Sequence, residues 1–331
     1  MQRIAGFLLL GVIFIALILG TGCTSSQDSS TIGVTDTNNS EGGKIFISGA
    51  FALYPMMIFW TEEYHKLHPE FTFEVSAGGA GKGMTDTLSG MVDIGMISRD
   101  IKSEEEAQGA KWVAVTQDAV VGTINADNPY KNQILSRGLT KNELKEIFIN
   151  NSISTWADLL GVEGKEDVIN VYTRSDACGA ADVWSAFFKG HQEDLKGTAV
   201  FGDPGLAEAV RADKLGIGFN NINYAYDNST NLAIKGLEII PLDLNENGKI
   251  DVNENFYSDR TMITKAISEG LYPSPPSRYL NLAVKDTFSK NVKTFISWII
   301  TDGQQYADAN GYIPLSSEKQ KESLSVVEAN S

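Results

Sequence analysis

The residues with the clearest capacity for chemistry lie where apolar segments give way to small ones: Gly49-Ala50-Phe51-Ala52, Gly78 to Gly83, and Arg174 to Ala180. In the second of these, Gly78, Gly79, Gly81 and Gly83 put no side chains between the backbone N–H groups and a ligand. The helix start that follows adds partial positive charge. That combination cradles anions. In the third, Arg174 precedes Ser175-Asp176-Ala177-Cys178-Gly179-Ala180, so a forked guanidinium can close an oxyanion onto another helix start. Ser98-Arg99, at the end of the apolar run from Val92, is a further cationic candidate. Taken singly, a glycine-rich turn is more often a tight strand-to-helix connection, and Arg174 could be a salt-bridge partner of Asp176 or Asp182. Three such junctions in one chain favour the anion reading. The spacing yields no Ser/His/Asp or paired-carboxylate arrangement, so no enzyme is expected.

A second pattern stands apart from these. Asp243, Asn245, Asn247, Gly248, Ile250, Asp251 and Glu254 fit a twelve-residue EF-hand loop at each position that can be checked. Oxygen ligands would come from Asp243, Asn245, Asn247, the Lys249 carbonyl, Asp251 and bidentate Glu254, with Gly248 allowing the sharp turn. The expectation is a structural calcium ion on a loop clipped onto another fold; the alternative is a polar hairpin with Asn-Gly at its tip. No catalytic cofactor is expected.

Strands and helices alternate around these loops. A strand at Ile45–Ser48 leads to a helix from Pro55 to Leu67, in which Met56, Phe59, Trp60, Tyr64 and Leu67 recur at helical spacing. A strand from Phe71, a helix around Met84–Leu88, a strand from Val92, a helix opened by a Ser103/Glu106 capping box and a strand at Trp112–Thr116 follow. A polar loop with Pro129 comes after the apolar Val120–Asn125 and marks the crossing to a second lobe. Thr140 and Glu143 form another capping box there. Strands at 168–173 and 215–220, helices at 180–188 and 204–212, and a strand at 238–242 repeat the alternation. The class is α/β in two lobes, each a mainly parallel sheet with helices on both faces and a ligand cleft between them. Lobe 1 is expected over 44–120 and 261–317, lobe 2 over 121–260, and a frayed tail over 318–331.

Ahead of the lobes, Met1 to Cys23 carries Arg3, an apolar run from Ile4 to Leu19, and Gly20-Thr21-Gly22 before Cys23. The run is short for a membrane span, which needs about 20 apolar residues, and reads as an export signal. Small residues before a cysteine resemble a lipobox, which implies removal of the signal and lipidation of Cys23; the alternative is an uncleaved anchor. Residues 24–43 are Ser, Thr, Asp, Asn and Gly with almost nothing to bury, a disordered tether. The folded part is expected outside the cytoplasm, anchored to the outer face of the cytoplasmic membrane. A net charge of −15 argues against nucleic acid or anionic lipid as a partner, so any anion site must be local. Cys178 is the one cysteine beyond Cys23, which leaves no intrachain disulfide in a mature chain.

In order along the chain, Gly49 with its following helix, the glycine turn, Asp93-Ile94-Gly95 with Ser98-Arg99, the Trp156 turn, the Arg174 loop, Gly216 to Phe219, Tyr272-Pro273 and Gly311 to Leu315 resemble the phosphate-type substrate-binding proteins of ABC importers, in the type II periplasmic-binding-protein family. The resemblance covers nearly the whole mature chain. It implies a monomeric receptor that closes on a small oxyanion, most simply phosphate, and delivers it to permease subunits. It also implies a ligand set of Gly49, Ala50, Phe51, Ala52, Gly79, Ala80, Gly81, Ser98, Arg99, Arg174, Cys178, Gly179 and Ala180. Several of these depart from the family. Ala50, Phe51, Ala52, Ala80, Cys178 and Ala180 stand where the family has hydroxyl side chains, and Arg99 stands near its proton-accepting carboxylate, with Asp100 or Asp176 as substitutes. Arg174 and the amides are what remain. A different oxyanion or a small organic solute is therefore the alternative ligand, and a sensor or adhesion protein the alternative role.

Overall fold

The computed structural model describes residues 42–163 and 167–331. The expected signal segment, Cys23 and nearly all of the tether lie outside the described residues. Among the described residues no helix is long and apolar enough to cross a membrane.

β1 (Lys44–Gly49) turns Ile45 and Ile47 inward and leads into α1 (Tyr54–Leu67), whose first turn holds Pro55 and whose buried stripe is Met56, Met57, Trp60 and Tyr64. β2 (Thr72–Ala77), α2 (Ala80–Ser89), β3 (Ile94–Ile97) and α3 (Ser103–Ala107) follow. α2 begins earlier than Met84, so Gly81 and Gly83 are helical rather than in the turn. A Cβ on Gly83 would lie 2.8 Å from the Gly49 Cα, so glycine there lets helix and strand touch. The expected Ser103/Glu106 capping box is also displaced: Lys102 is the N-cap, Glu105 accepts its N–H at 2.9 Å, and Glu106 instead accepts from Trp112 Nε1 at 3.1 Å.

The segments expected as separate strands at Trp112–Thr116 and Val120–Asn125 are one strand, β4 (Ala110–Asn125). The second half of the chain then runs α4 (Lys131–Arg137), α5 (Lys141–Lys145), α6 (Trp156–Leu160), β5 (Asn170–Arg174), α7 (Gly179–Phe187), β6 (Thr198–Val200), α8 (Gly202–Ala212), β7 (Gly216–Asn221), α9 (Ile222–Ala225), β8 (Leu237–Ile239), α10 (Arg260–Ser268), β9 (Ser277–Lys285), α11 (Lys290–Ile300) and α12 (Ser317–Ala329). The Thr140/Glu143 capping box is present, with bonds of 2.8 and 3.2 Å.

Strand order is β2-β1-β3-β9-β4-β7-β5-β6, with β8 also on β4. The triplets β2-β1-β3 and β7-β5-β6 are parallel, while β9 and β4 run antiparallel to their neighbours and join them. β4 pairs β9 from Ala110 to Ala119, then β7 and β8 from Val120 to Asn125. One hydrophobic core gathers side chains from 45–115 and 280–327, the other from 119–272 together with Ile313. The two lobes meet along β4.

Two expectations about the chain's end are overturned. Ile263, Ala266, Ile267 and Tyr272 join the second core rather than the first. The tail after Ser316 is not frayed: α12 buries Ser323 and Val327, and Ser323 Oγ donates to the Ala114 carbonyl at 2.9 Å.

Candidate functional site

All three glycine- and alanine-rich junctions end parallel strands at the line where the lobes meet. Gly49 closes β1 with φ of +136°, which favours glycine, and its carbonyl accepts the N–H groups of Gly78 and Gly79 at 2.9 and 3.0 Å. The first junction thereby fixes the second. Across the lobes, Gly81 N–H donates to the Ala177 carbonyl at 3.0 Å. A Cβ on Gly179 would sit 2.0 Å from the Ser98 carbonyl oxygen, so the third junction touches the end of β3 with no space for a side chain. Ala80, Gly179 and Ala180 stand in first helical turns, where N–H groups have no intrahelical acceptor.

Arg174, the last residue of β5, lies at the centre with its side chain fully buried. Nε and Nη2 grip Asp176 at 2.8 and 2.6 Å, and Nη1 donates to Asp203 Oδ2 at 2.6 Å. Burial works against its charge, but Asp203 and Asp176 outweigh that and hold its pKa above the ordinary arginine value. The Phe51 ring covers the guanidinium, 5.5 Å from centroid to Cζ, and meets Phe201 edge-on at 5.9 Å. Tyr224 and Tyr312 hydroxyls hold the carbonyls of Phe51 and Ala52 at 3.2 and 2.7 Å. Ala50, Ala52, Ala80 and Ala180 are buried around this point.

Arg99 is buried too and spent on Glu105, with bidentate bonds of 2.9 and 2.6 Å. Its neighbour Ser98 is the residue pressed against Gly179. Cys178 caps α7, its Sγ accepting the Ala181 N–H at 3.4 Å, while its own N–H goes to Gln192. Burial pushes the Cys178 thiol up to about 12, so it stays protonated at neutral pH. Gly81, Arg99 and Cys178 line a cavity of ≈ 200 Å³ with Ala177 and Gln192, at the contact between lobes. A larger groove, ≈ 470 Å³, lies between β4 and α12 beside Trp112 and Lys319, away from all three junctions.

Of the acids on Arg174, Asp176 was open to sequence reasoning as an ion-pair partner and Asp203 was not. Asp203 reads as an ordinary acid in the first turn of α8, yet it is buried, binds Arg174, and accepts the Asn221 N–H at 3.2 Å. Arg278 on β9 pairs with Asp118 on β4 at 3.0 Å, both buried. Partners 29 and 160 residues apart leave no local trace. Burial raises the Asp118 carboxyl to about 6, from an ordinary 3.8, and Arg278 pulls it back only in part. The folded protein thus holds this proton at higher pH than the unfolded chain does. Asp118's contribution to stability should be full below about pH 4 and be lost as pH rises through about 6, the reverse of an ordinary ion-paired carboxylate. Denaturant titrations at pH 4 and pH 7 should show that increment, and Asp118→Asn should remove it.

The loop expected to hold calcium, Asp243 to Glu254, has its carboxylates engaged within the protein. Among the described residues no group of three or more His, Cys, Asp or Glu side chains is gathered to hold a metal. Asp243 accepts the Asn247 and Gly248 N–H groups at 3.2 and 2.8 Å, and Glu254 accepts from Leu244, Asn245 and Asp251. Asp251 is engaged by Lys249 at 2.8 Å and by both asparagine amides. Lys249 thus places its ammonium on one of the expected ligands.

A profile for the PBP superfamily domain matches residues 34–303. The phosphate-binding protein PstS of Bacillus subtilis (strain 168) is 25% identical over 301 residues, covering 89% of this chain and 94% of its own. That of Methanocaldococcus jannaschii is 23% identical over 390 residues, covering 97% and 94%. Among solved structures, a phosphate ABC transporter substrate-binding protein from Clostridium perfringens with bound phosphate has a TM-score of 0.67 at 22% identity, over 83% of this chain and all of its own. An ABC-type phosphate transport receptor from Vibrio cholerae has a TM-score of 0.59 at 20% identity, over 82% of this chain and again all of its own. At these identities the structures speak to the fold, two lobes of the type II periplasmic-binding arrangement. From the profile match, with a fold that agrees, the chain belongs to the PBP superfamily.

Proposed function

We propose that this protein is an extracytoplasmic receptor that closes its two lobes on a small oxyanion, with phosphate the leading candidate, and passes it to the permease subunits of an ABC importer. The observation that carries the reading is the convergence of three amide-rich junctions on one buried arginine. Relatives that span nearly the whole chain and are named phosphate-binding proteins support it. Binding would be held by the N–H groups of Phe51, Ala52, Ala80, Gly179 and Ala180, with Arg174 as the charged donor; the N–H groups of Ala50, Gly79, Gly81 and Cys178 are bonded inside the protein and shape the cleft instead, and Ser98 and Arg99 border it. No chemical step is involved, and hinge closure about the strands shared by the lobes is the motion. A monomer tethered by a lipid on Cys23 to the outer face of the cytoplasmic membrane fits the sequence of the first 43 residues.

A second reading rests on specific residues. With alanine at 50, 52, 80 and 180, and cysteine at 178, few side-chain hydroxyls face the junctions, which suits a different oxyanion or a small organic solute. Mass spectrometry of ligand co-purified with the protein, followed by calorimetry with phosphate, sulfate, molybdate, tungstate and organic phosphates, separates the two. Phosphate is expected to bind, in preference to sulfate. A protein that binds no anion, from a preparation that yields a co-purified neutral solute, would replace the first reading with the second.

We also propose that the loop from Asp243 to Glu254 takes a structural calcium ion. Gly248 supplies the required left-handed turn, with φ of +80°. Asp243 and Glu254 are almost fully buried and bonded to backbone N–H groups. Loading would rotate the Asn245 and Asn247 amides to present oxygen and release Asp251 from Lys249.

A further inference from the structure

Arg278 lies outside the ligand loops and is nevertheless built into one of them. It sits near the start of β9, opposite Asp118 in the register of β4, where the two strands cross from one core to the other. Its guanidinium, 5% exposed, serves three elements at once. Nε donates to Asp118 Oδ1 at 3.0 Å, Nη1 to the Gly179 carbonyl at 2.7 Å, and Nη2 to Asn221 Oδ1 at the end of β7. From Asn221 the polar contacts continue through its N–H to Asp203, and from Asp203 to Arg174. An unbroken line of partnered groups therefore links the shared strands to the central arginine.

The Gly179 carbonyl is the informative contact. It belongs to the same peptide as the Ala180 N–H, and in a trans peptide the two point in opposite directions. Fixing the carbonyl on Arg278 aims the Ala180 N–H away from β9, toward the open start of α7. The Gly179 Cα also faces Ser98 of the other lobe so closely that a Cβ there would lie 2.0 Å from the Ser98 carbonyl oxygen. Lysine could keep a charge beside Asp118, but its single ammonium has no planar fork with which to hold three acceptors in place.

We propose that Arg278 is a positioning residue for the anion cradle, coupling the bend of β4 and β9 to the orientation of the Gly179–Ala180 peptide. Closure of the lobes sets the amide toward the ligand, and opening withdraws it. This rests on the receptor reading above. The test uses the full chain, Arg278→Lys and Arg278→Gln, with inorganic phosphate as the probe. Arg278→Lys should keep a melting temperature near that of the wild type while weakening phosphate binding at least tenfold; Arg278→Gln should lose both. Without phosphate, amide hydrogen exchange at 179–181 in Arg278→Lys should accelerate at least tenfold, with β1 and β3 unchanged. If the lysine variant melts too low to assay, Arg278→Gln with Asp118→Asn, which removes both buried charges, takes its place. Wild-type phosphate affinity in a folded variant, or unchanged exchange at 179–181, overturns the proposal. A wild-type protein that binds no phosphate removes the receptor reading instead, and the exchange measurement alone then decides the role of Arg278.

Discussion

Arg174→Met is expected to abolish phosphate binding and to destabilise the fold together, and adding Asp203→Asn is expected to return stability without returning binding. The single variant leaves Asp176 and Asp203 buried without their cation. Breaking a buried pair by removing one partner costs about 3–5 kcal/mol. The double variant takes away one of the two stranded charges, so a large part of that loss should be recovered. The ligand side behaves differently. A guanidinium contributes charge-assisted hydrogen bonds of roughly 1.5–3 kcal/mol each, so losing the fork weakens binding by about a hundredfold or more. Neutralising Asp203 cannot restore a donor. Asp203→Asn alone should act in the opposite direction, tightening phosphate binding by about tenfold, because it weakens the internal carboxylate that occupies Nη1. Calorimetry with phosphate beside thermal melts on the three variants reads both quantities. Wild-type affinity in the folded double variant would remove Arg174 from the site and leave it a structural ion pair.

These predictions combine a residue visible in the sequence with one that was not. Arg174, the glycine turn and the small residues around Cys178 were legible because their information is local: a strand ends, bare amides follow, a helix starts. The two-lobed α/β alternation was legible for the same reason, since each element carries its own periodicity. What failed depended on contacts across the chain. β4 looked like two strands because Gln117 and Asp118 interrupt its apolar run, yet Asp118 is buried against Arg278. α12 looked solvated because eleven of its thirteen residues are not buried, and it docks through Ser323 and Val327. Of the two readings of Arg174, the salt bridge to Asp176 is present, and the ligand reading stands beside it as a proposal. A cation with a fully buried side chain needs partners inside the protein, and Asp176 and Asp203 supply them.

Chelation is expected to lower the melting temperature by several degrees, and Asp243→Ala to remove that sensitivity while melting low from the start. Asp243 and Glu254 are 1% and 2% exposed. Backbone N–H groups satisfy them as acceptors but carry no net charge, and the Lys249 ammonium nearby is paired with Asp251 at 2.8 Å. A divalent ion with six or more oxygen ligands at about 2.3–2.6 Å would supply the missing counter-charge. A ligand that binds the folded state alone stabilises it by about 2.7 kcal/mol at a hundred times its Kd. In domains of about 150–250 residues, each 1 kcal/mol shifts the melting temperature by roughly 2–4 °C. The loop is joined to the second lobe, where the Asp243 N–H donates to the Leu139 carbonyl at 3.1 Å and the Ile250 N–H to Ser136 at 3.1 Å. Ordering it should therefore stabilise that lobe and leave the first core unaffected. Lys249→Ala discriminates further: freeing Asp251 from the internal ammonium should raise calcium affinity if the loop is a site, and should change nothing in calcium if Lys249 merely clips a hairpin. Melts in calcium and in chelator that coincide for the wild type would rule the ion out.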